Sequence, residues 1–384
     1  MTVDGTFIFE DCLLKHHIRR HAWLPLCKER LRLLRAGRPQ KRQRRLRYFT
    51  FCAVGAIDVH MLEMARVLRK SGQDRFDSVF FFDRTPELIV ETARRIPGAN
   101  GFPGDFVSIV LADDPQGDDP DAALDPPATD EDTRTIRAKQ LTLNTRRLFV
   151  SSFPFDVINL DLEGFFFRPS DPLPGRLVNV MRRVFQWQTN ELRNARGVAV
   201  ESITGFSLMF TTQIGPRNLG DDYRQMLRGY VQGNVDRRPD LVDRLESRTG
   251  TRQLDQIEGQ QFDTYFKLAA PKLLASILDE QDWYIERTPG IKTYEIERAS
   301  ESGPYKMLHM VMQVSRKSPP RANRAPGQDS PVARDAYDAV VEGLFSGGDV
   351  QVSDSSIDQA ALKSDLDAIK ARRSKVYLEG EATA

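Results

Sequence analysis

The sequence predicts an α/β fold: an open, mostly parallel sheet flanked by helices, closed by a terminal antiparallel hairpin. Two patterns carry this expectation. Short, almost wholly apolar runs bounded by turn residues alternate with stretches whose apolar positions recur at helical spacing, as strands buried on both faces and the helices covering them require. Towards the carboxyl end, two β-patterned runs, 291–297 and 307–314, flank Ser302-Gly303-Pro304, which reads as a hairpin. The chain has 384 residues and 40% hydrophobic content, enough for one large core with appendages or for two domains.

Residues 48–53, YFTFCA, form the first expected strand, followed by a turn at Gly55 and a helix opening near Asp58. Strand, glycine turn and helix begin a nucleotide-binding α/β unit. The turn brings backbone N–H groups and the positive helix end against a ligand, and glycine is needed where a Cβ would block the approach. Ala53, Val54 and Gly55 are the candidates for that contact, although one glycine stands where the dinucleotide fingerprint has three.

The second strand, 76–82, ends at Asp83, about one helix downstream of the glycine turn, where an acid accepts from ribose hydroxyls. The same residue suits the start of the helix expected over 87–95. The run 106–111, FVSIVL, reads as a third strand leading into Asp113 and Asp114, placed to read a ligand's amino group. From 113 to 132 the chain carries nine acids and no base, a long Pro-rich polar loop.

After a helix over 133–149, a fourth strand, 155–160, ends in Asp161-Leu162-Glu163-Gly164. Carboxylates at the carboxyl end of a central strand make Asp161 and Glu163 the candidates for orienting a substrate or handling a proton; solvation and capping of a helix over 176–193 is the competing reading. A fifth strand spans 206–212, and helices are expected at 222–232, 240–246 and 258–278, an insertion of about 215–280 before the hairpin. Residues 317–334 read as a linker by composition. Helices at 335–346 and 356–373 are expected to dock on a partner or back onto the core.

Before the first strand, 10–35 mixes apolar positions at helical spacing with many bases, and the helix is expected to break near Pro25 and resume. From 28 to 47 there are ten Lys or Arg and one acid, although the formal net charge of the chain is only +1. This basic segment is either a solvated surface or a phosphate-contacting patch for nucleic acid, with Arg42, Arg44, Arg45 and Arg47 at its end. No aromatics are interleaved, so stacking on bases is not expected. Cys12, His16, His17, His21 and Cys27 gather metal-binding residue types in one segment, but without a paired CxxC no metal site is expected. Three cysteines argue against a disulfide framework, and there is no apolar stretch long enough to span a bilayer. The acidic start MTVDGTFIFEDC is unlike a signal peptide, and a cytoplasmic protein is expected.

Five strands alternating with helices, then a hairpin, resemble the class I S-adenosylmethionine-dependent methyltransferase fold, a Rossmann-like architecture. The segment LLKHHIRRHAWLPL ahead of the first strand resembles the three-Cys-motif partner proteins within it. The resemblance covers roughly residues 10–314. It implies S-adenosylmethionine as cofactor, with its methionine moiety at Ala53, Val54 and Gly55, its ribose on Asp83 and its adenine near Asp113 or Asp114. It implies a methyl acceptor facing Asp161, Leu162 and Glu163. The Asp/Asn-Pro-Pro-aromatic motif of amino-methylases is replaced here by Asp161-Leu162-Glu163-Gly164, so a DNA amino-methylase is not expected. The alternative is a noncatalytic methyltransferase-like subunit of a multiprotein or nucleic-acid assembly, such as a prokaryotic defence complex, contacting partners through the basic segment and the C-terminal helices. An NAD-dependent dehydrogenase fits the first two strands but not the hairpin.

Overall fold

The computed structural model describes residues 12–36, 45–53, 55–70, 75–112, 130–165, 176–189, 204–215, 220–296, 305–317 and 349–381. The strands are β1 (Tyr48–Thr50), β2 (Val79–Asp83), β3 (Asn100–Pro103), β4 (Val157–Phe165), β5 (Gly205–Ile214), β6 (Trp283–Ile296), β7 (Tyr305–Arg316) and β8 (Asp349–Val352). They form one eight-stranded sheet in the order β3-β2-β1-β4-β5-β7-β6-β8. β1 to β5 pair in parallel, β7 runs antiparallel between β5 and β6, and β8 lies parallel to β6 at the far edge.

Alternation along the strands splits their side chains between two cores. Phe49, Phe80, Ile158, Leu208 and Met310 face one, and Tyr48, Phe81, Val157, Met209 and Val311 face the other. The first is covered by α5 (Phe106–Leu111), α6 (Asp130–Val150), α7 (Arg176–Thr189), α8 (Asp221–Arg237), α9 (Pro239–Thr249), α10 (Leu254–Gln260) and α11 (Phe262–Asp279). Aromatic rings hold α6 in place: Phe149 lies 5.1 Å from Phe49, 4.8 Å from Phe82 and 5.2 Å from Phe102, centroid to centroid.

The second core lies under the amino-terminal helix, α3 (Ile57–Met64) and the C-terminal helix α12 (Gln359–Glu381). The amino-terminal helix consists of α1 (Leu13–Ile18), a π-helical turn (Arg19–Trp23) and α2 (Leu24–Arg35). The expected break at Pro25 does not occur. The chain widens just before it, the Leu24 N–H reaching the Arg19 carbonyl, and Pro25 falls in the first turn of α2, where its missing N–H costs least.

Two further expectations are corrected. The run 106–111 is the helix α5 rather than the third strand, because Phe106, Ile109 and Val110 lie at helical spacing and share the first core. Its N-cap Asp105 accepts from the Ser108 N–H at 2.9 Å. The third strand is Asn100–Pro103, an edge strand beside β2 too short and polar for an apolar-run criterion. Asp105→Ala is expected to cost about 1 kcal/mol of stability through loss of this cap, measured by urea denaturation; an unchanged midpoint would mean solvent caps α5 equally well.

In the C-terminal segment β8 was not expected, and the helix proposed at 335–346 lies outside the described residues. The helix expected over 356–373 is α12, preceded by β8. It packs against α1, α3 and α4 (Pro86–Arg95), burying Leu362, Leu366 and Ile369. His16 Nε2 bonds Asp365 Oδ2 at 2.8 Å, and Arg372 Nε donates to Glu63 Oε2 at 2.7 Å. Of the two dockings expected for the C-terminal helices, α12 adopts the one onto its own core. Among the described residues, no helix is long and apolar enough to cross a membrane.

Candidate functional site

The helix following β1, α3, lies on one face of the sheet, and the helix following β4, α7, on the other. The crevice between the carboxyl ends of β1 and β4 is therefore the topological switch point, where open α/β sheets receive ligands. Gly55 lies there in a tight turn, closed by the Ala56 N–H donating to the Ala53 carbonyl at 2.8 Å. Ala56 adopts φ 45°, a left-handed conformation uncommon for alanine, and from it the N-terminus of α3 opens towards the crevice. Val54 lies outside the described residues.

Beneath the turn is a polar network that sequence reasoning did not anticipate. Asp58, in the first turn of α3, is turned into the sheet and accepts from Tyr48 Oη at 2.7 Å and Thr50 Oγ1 at 2.9 Å. Asn159 Nδ2 donates to the same two oxygens at 3.1 and 3.2 Å, joining β4 to β1. Burial, then the Asp58 charge, push the Tyr48 phenol well above its ordinary pKa, so it stays a donor. The carboxylate also suits the positive end of α3.

Asp83 ends β2 on the same edge. Its Oδ1 accepts from the Thr85 N–H at 3.0 Å at the entry to α4, and burial holds its carboxyl above the usual carboxylate pKa. The backbone N–H groups of Thr85 and Arg84 still leave a carboxylate with further acceptor capacity, so helix entry and ribose binding are compatible roles.

Asp161, on β4, meets Lys15 of α1: Nζ and Oδ2 are 2.7 Å apart, with side chains 7% and 9% exposed. Burial alone would raise the Asp161 pKa, but Lys15, with Arg19 and His309 behind it, brings it below the ordinary carboxylate value. Asp161 is thus a paired anion at the foot of the amino-terminal helix. Glu163 lies on the same strand, but its side chain falls outside the described residues, as do Asp113 and Asp114 altogether.

Next to this pair, Trp23 Nε1 donates to His309 Nε2 at 3.0 Å, which places the imidazole proton on Nδ1, bonded to Thr211 Oγ1 at 2.9 Å. Burial lowers the His309 pKa to about 3. The rings of His17 and His21 lie 4.2 Å apart, and both pKa values are lowered by burial, that of His17 to about 4. Among the described residues no three His, Cys, Asp or Glu side chains converge as a metal site.

The basic segment divides. Arg42 and Arg44 lie outside the described residues, and Arg45 approaches Asp77 at 4.0 Å. Arg47 serves the fold. Its backbone N–H donates to Asp156 Oδ2 at 2.9 Å and its Nε to the Pro154 carbonyl at 3.0 Å, and its guanidinium lies 4.6 Å from the Phe80 ring centroid. These bonds seat β1 beside β4 and engage the Arg47 side chain within the protein.

Sequence reasoning missed Lys15, Asp58, Asn159 and His309. A signal was present: Thr50, Asn159, Asp161, Thr211 and His309 stand at alternate positions of otherwise apolar strands, on the face covered by the amino-terminal helix and α3. In comparisons with known proteins, the chain matches no family model and no curated protein.

Proposed function

We propose that the chain is a class I methyltransferase-like protein that binds S-adenosylmethionine in the switch-point crevice. The observation that carries this reading is the strand order β3-β2-β1-β4-β5-β7-β6 with β7 alone antiparallel to its neighbours. The features behind the resemblance, alternating strands and a terminal hairpin, become in three dimensions one doubly wound sheet with the hairpin at one side. The order reverses between β1 and β4, and the Gly55 turn and Asp83 lie on the carboxyl edge that this reversal opens; Asp161, expected just past the end of the fourth strand, lies within β4, beyond the residues that pair with β1.

The residues present fit the cofactor in two respects. Asp83 retains acceptor capacity for ribose hydroxyls, and Gly55 carries no Cβ at the turn beside the α3 N-terminus. S-adenosylmethionine supplies an activated methyl group; the chain's part is to hold donor and acceptor in line. With Asp161 paired to Lys15, removal of a proton from an acceptor would fall to a group other than Asp161.

Isothermal titration with S-adenosylmethionine and S-adenosylhomocysteine tests the reading. Micromolar binding, about 8 kcal/mol, is expected, weakened at least about tenfold in Asp83→Ala. Unchanged affinity in that variant would remove Asp83 from the site, and no binding by the wild type would overturn the proposal. The buried Lys15–Asp161 pair favours, as a second reading, a methyltransferase-like subunit without catalysis, and absent binding would move the assignment there.

A further inference from the structure

Near the opposite, amino-terminal edge of the sheet the described residues gather a cluster of bases. α2 runs down to this edge, where buried Arg30 donates to the carbonyl of Gly205, the first residue of β5. Lys28, Arg32 and Arg35 of α2, together with Arg66 from the loop after α3, line a cleft of about 570 Å³ whose remaining wall is aliphatic and which holds no carboxylate. Arg32 has a partner, Glu29, in a two-pronged pair at 2.9 and 2.8 Å. Lys28 and Arg66 have none among the described residues.

Arg35 Nε is shut off from solvent and has no acceptor among the described residues. Burial, and then the neighbouring charge of Arg69, lower the Arg35 pKa. Arg66 sits at φ 59°, a left-handed conformation rarely adopted by a residue with a long side chain. Neutralising helix ends does not account for this many bases. The C-termini of α2 and α3 each contribute about half a negative charge, roughly one in all, against Lys28, Arg35 and Arg66, the cleft cations with no carboxylate partner among the described residues.

We propose that this cleft docks the phosphodiester backbone of a nucleic acid. Guanidinium groups match phosphate oxygens in pairs, and exposed Arg66, beside exposed Lys28, offers donors that no described carboxylate takes. The cleft is open to solvent, as passage of a polymer requires. Its wall has no aromatic ring on which a base could stack, so binding is to the backbone and independent of sequence. Phosphate binding here and cofactor binding at the carboxyl edge are independent properties on opposite edges of the sheet.

The test is fluorescence anisotropy of a labelled duplex of about 20 base pairs across a salt series. Wild-type affinity is expected to fall steeply with salt. Lys28→Glu/Arg66→Glu, both at exposed positions, is expected to weaken binding at least about tenfold and to make the log–log salt slope shallower by roughly 2, the loss of two phosphate contacts. Arg244→Glu/Arg248→Glu makes the same charge change on α9, over the other core, and is expected to leave affinity within about twofold. Equal weakening in both variants would reduce the effect to net charge and overturn the proposal, as would absence of wild-type binding at low salt. Tripolyphosphate is expected to displace the duplex. Its binding by a protein that ignores the duplex would assign the cleft to free polyphosphate and overturn the proposal.

Discussion

Replacing Lys15 with methionine is expected to destabilise the protein by about 3–5 kcal/mol, the usual cost of stranding one partner of a buried ion pair. The Asp161 side chain is 9% exposed and Lys15 Nζ, at 2.7 Å, is its direct counter-ion. Without Lys15 the carboxylate must lose its charge or admit water under the amino-terminal helix. The double variant Lys15→Met/Asp161→Leu is expected to recover most of that loss, since two apolar groups of similar volume often replace a buried pair at little cost. Urea denaturation of both variants measures this, and a loss below about 1 kcal/mol in Lys15→Met would show that solvent already screens the pair. The pair also sets a low-pH limit. The Asp161 pKa is below its ordinary 3.8 in the folded protein, so its contribution is complete above 3.8 and is lost as pH falls through the lower, folded value.

A second loss of stability is expected at much milder acidity. His309, His17, His16 and His21 all have pKa values lowered from 6.5 by burial, to about 3 for His309 and about 4 for His17. Between the unfolded and folded values the unfolded chain binds more protons, so stability is complete above pH 6.5 and declines as pH falls below it. Fully buried His309 alone gives a slope of about 1.4 kcal/mol per pH unit, and the partly exposed His17 and His21 add smaller, solvent-screened increments. Urea midpoints between pH 7 and about 4.5 measure the effect. His309→Gln keeps an acceptor for Trp23 Nε1 without titrating, and is expected to reduce the slope by about 1.4 kcal/mol per pH unit. Stability independent of pH over that range would show that His309 is not held neutral.

Much of the fold was legible because its signals are local. The apolar runs ending at Phe82 and Leu160 are strands, and the spacing through 262–279 is a helix, because burial on two faces or along one stripe writes itself into consecutive residues. The misreading of 106–111 has the same origin: six residues of high apolarity suit a buried strand or a short buried helix, and only the neighbours decide. The site was legible in part. Gly55 and Asp83 share the carboxyl edge, because a turn and a strand end fix where they lie, whereas Asp161 lies within β4 rather than past its end.

What lies against them was not legible. Lys15 is far from Asp161 in sequence, Trp23 from His309, and Arg66 from Lys28, and in each case the partner is chosen by how the amino-terminal helix crosses the sheet. The sequence by itself determined the class of fold, the end of the second strand at Asp83 and the presence of a basic segment, since each depends on the pattern of neighbouring residues. The tertiary structure alone decided that Asp161 is a paired anion, that Arg47 anchors β1, that His16 and His309 are buried, and that the bases of α2 meet Arg66 in one cleft. Those outcomes depend on desolvation and on the distance between charges, which are set by packing between segments remote in the chain.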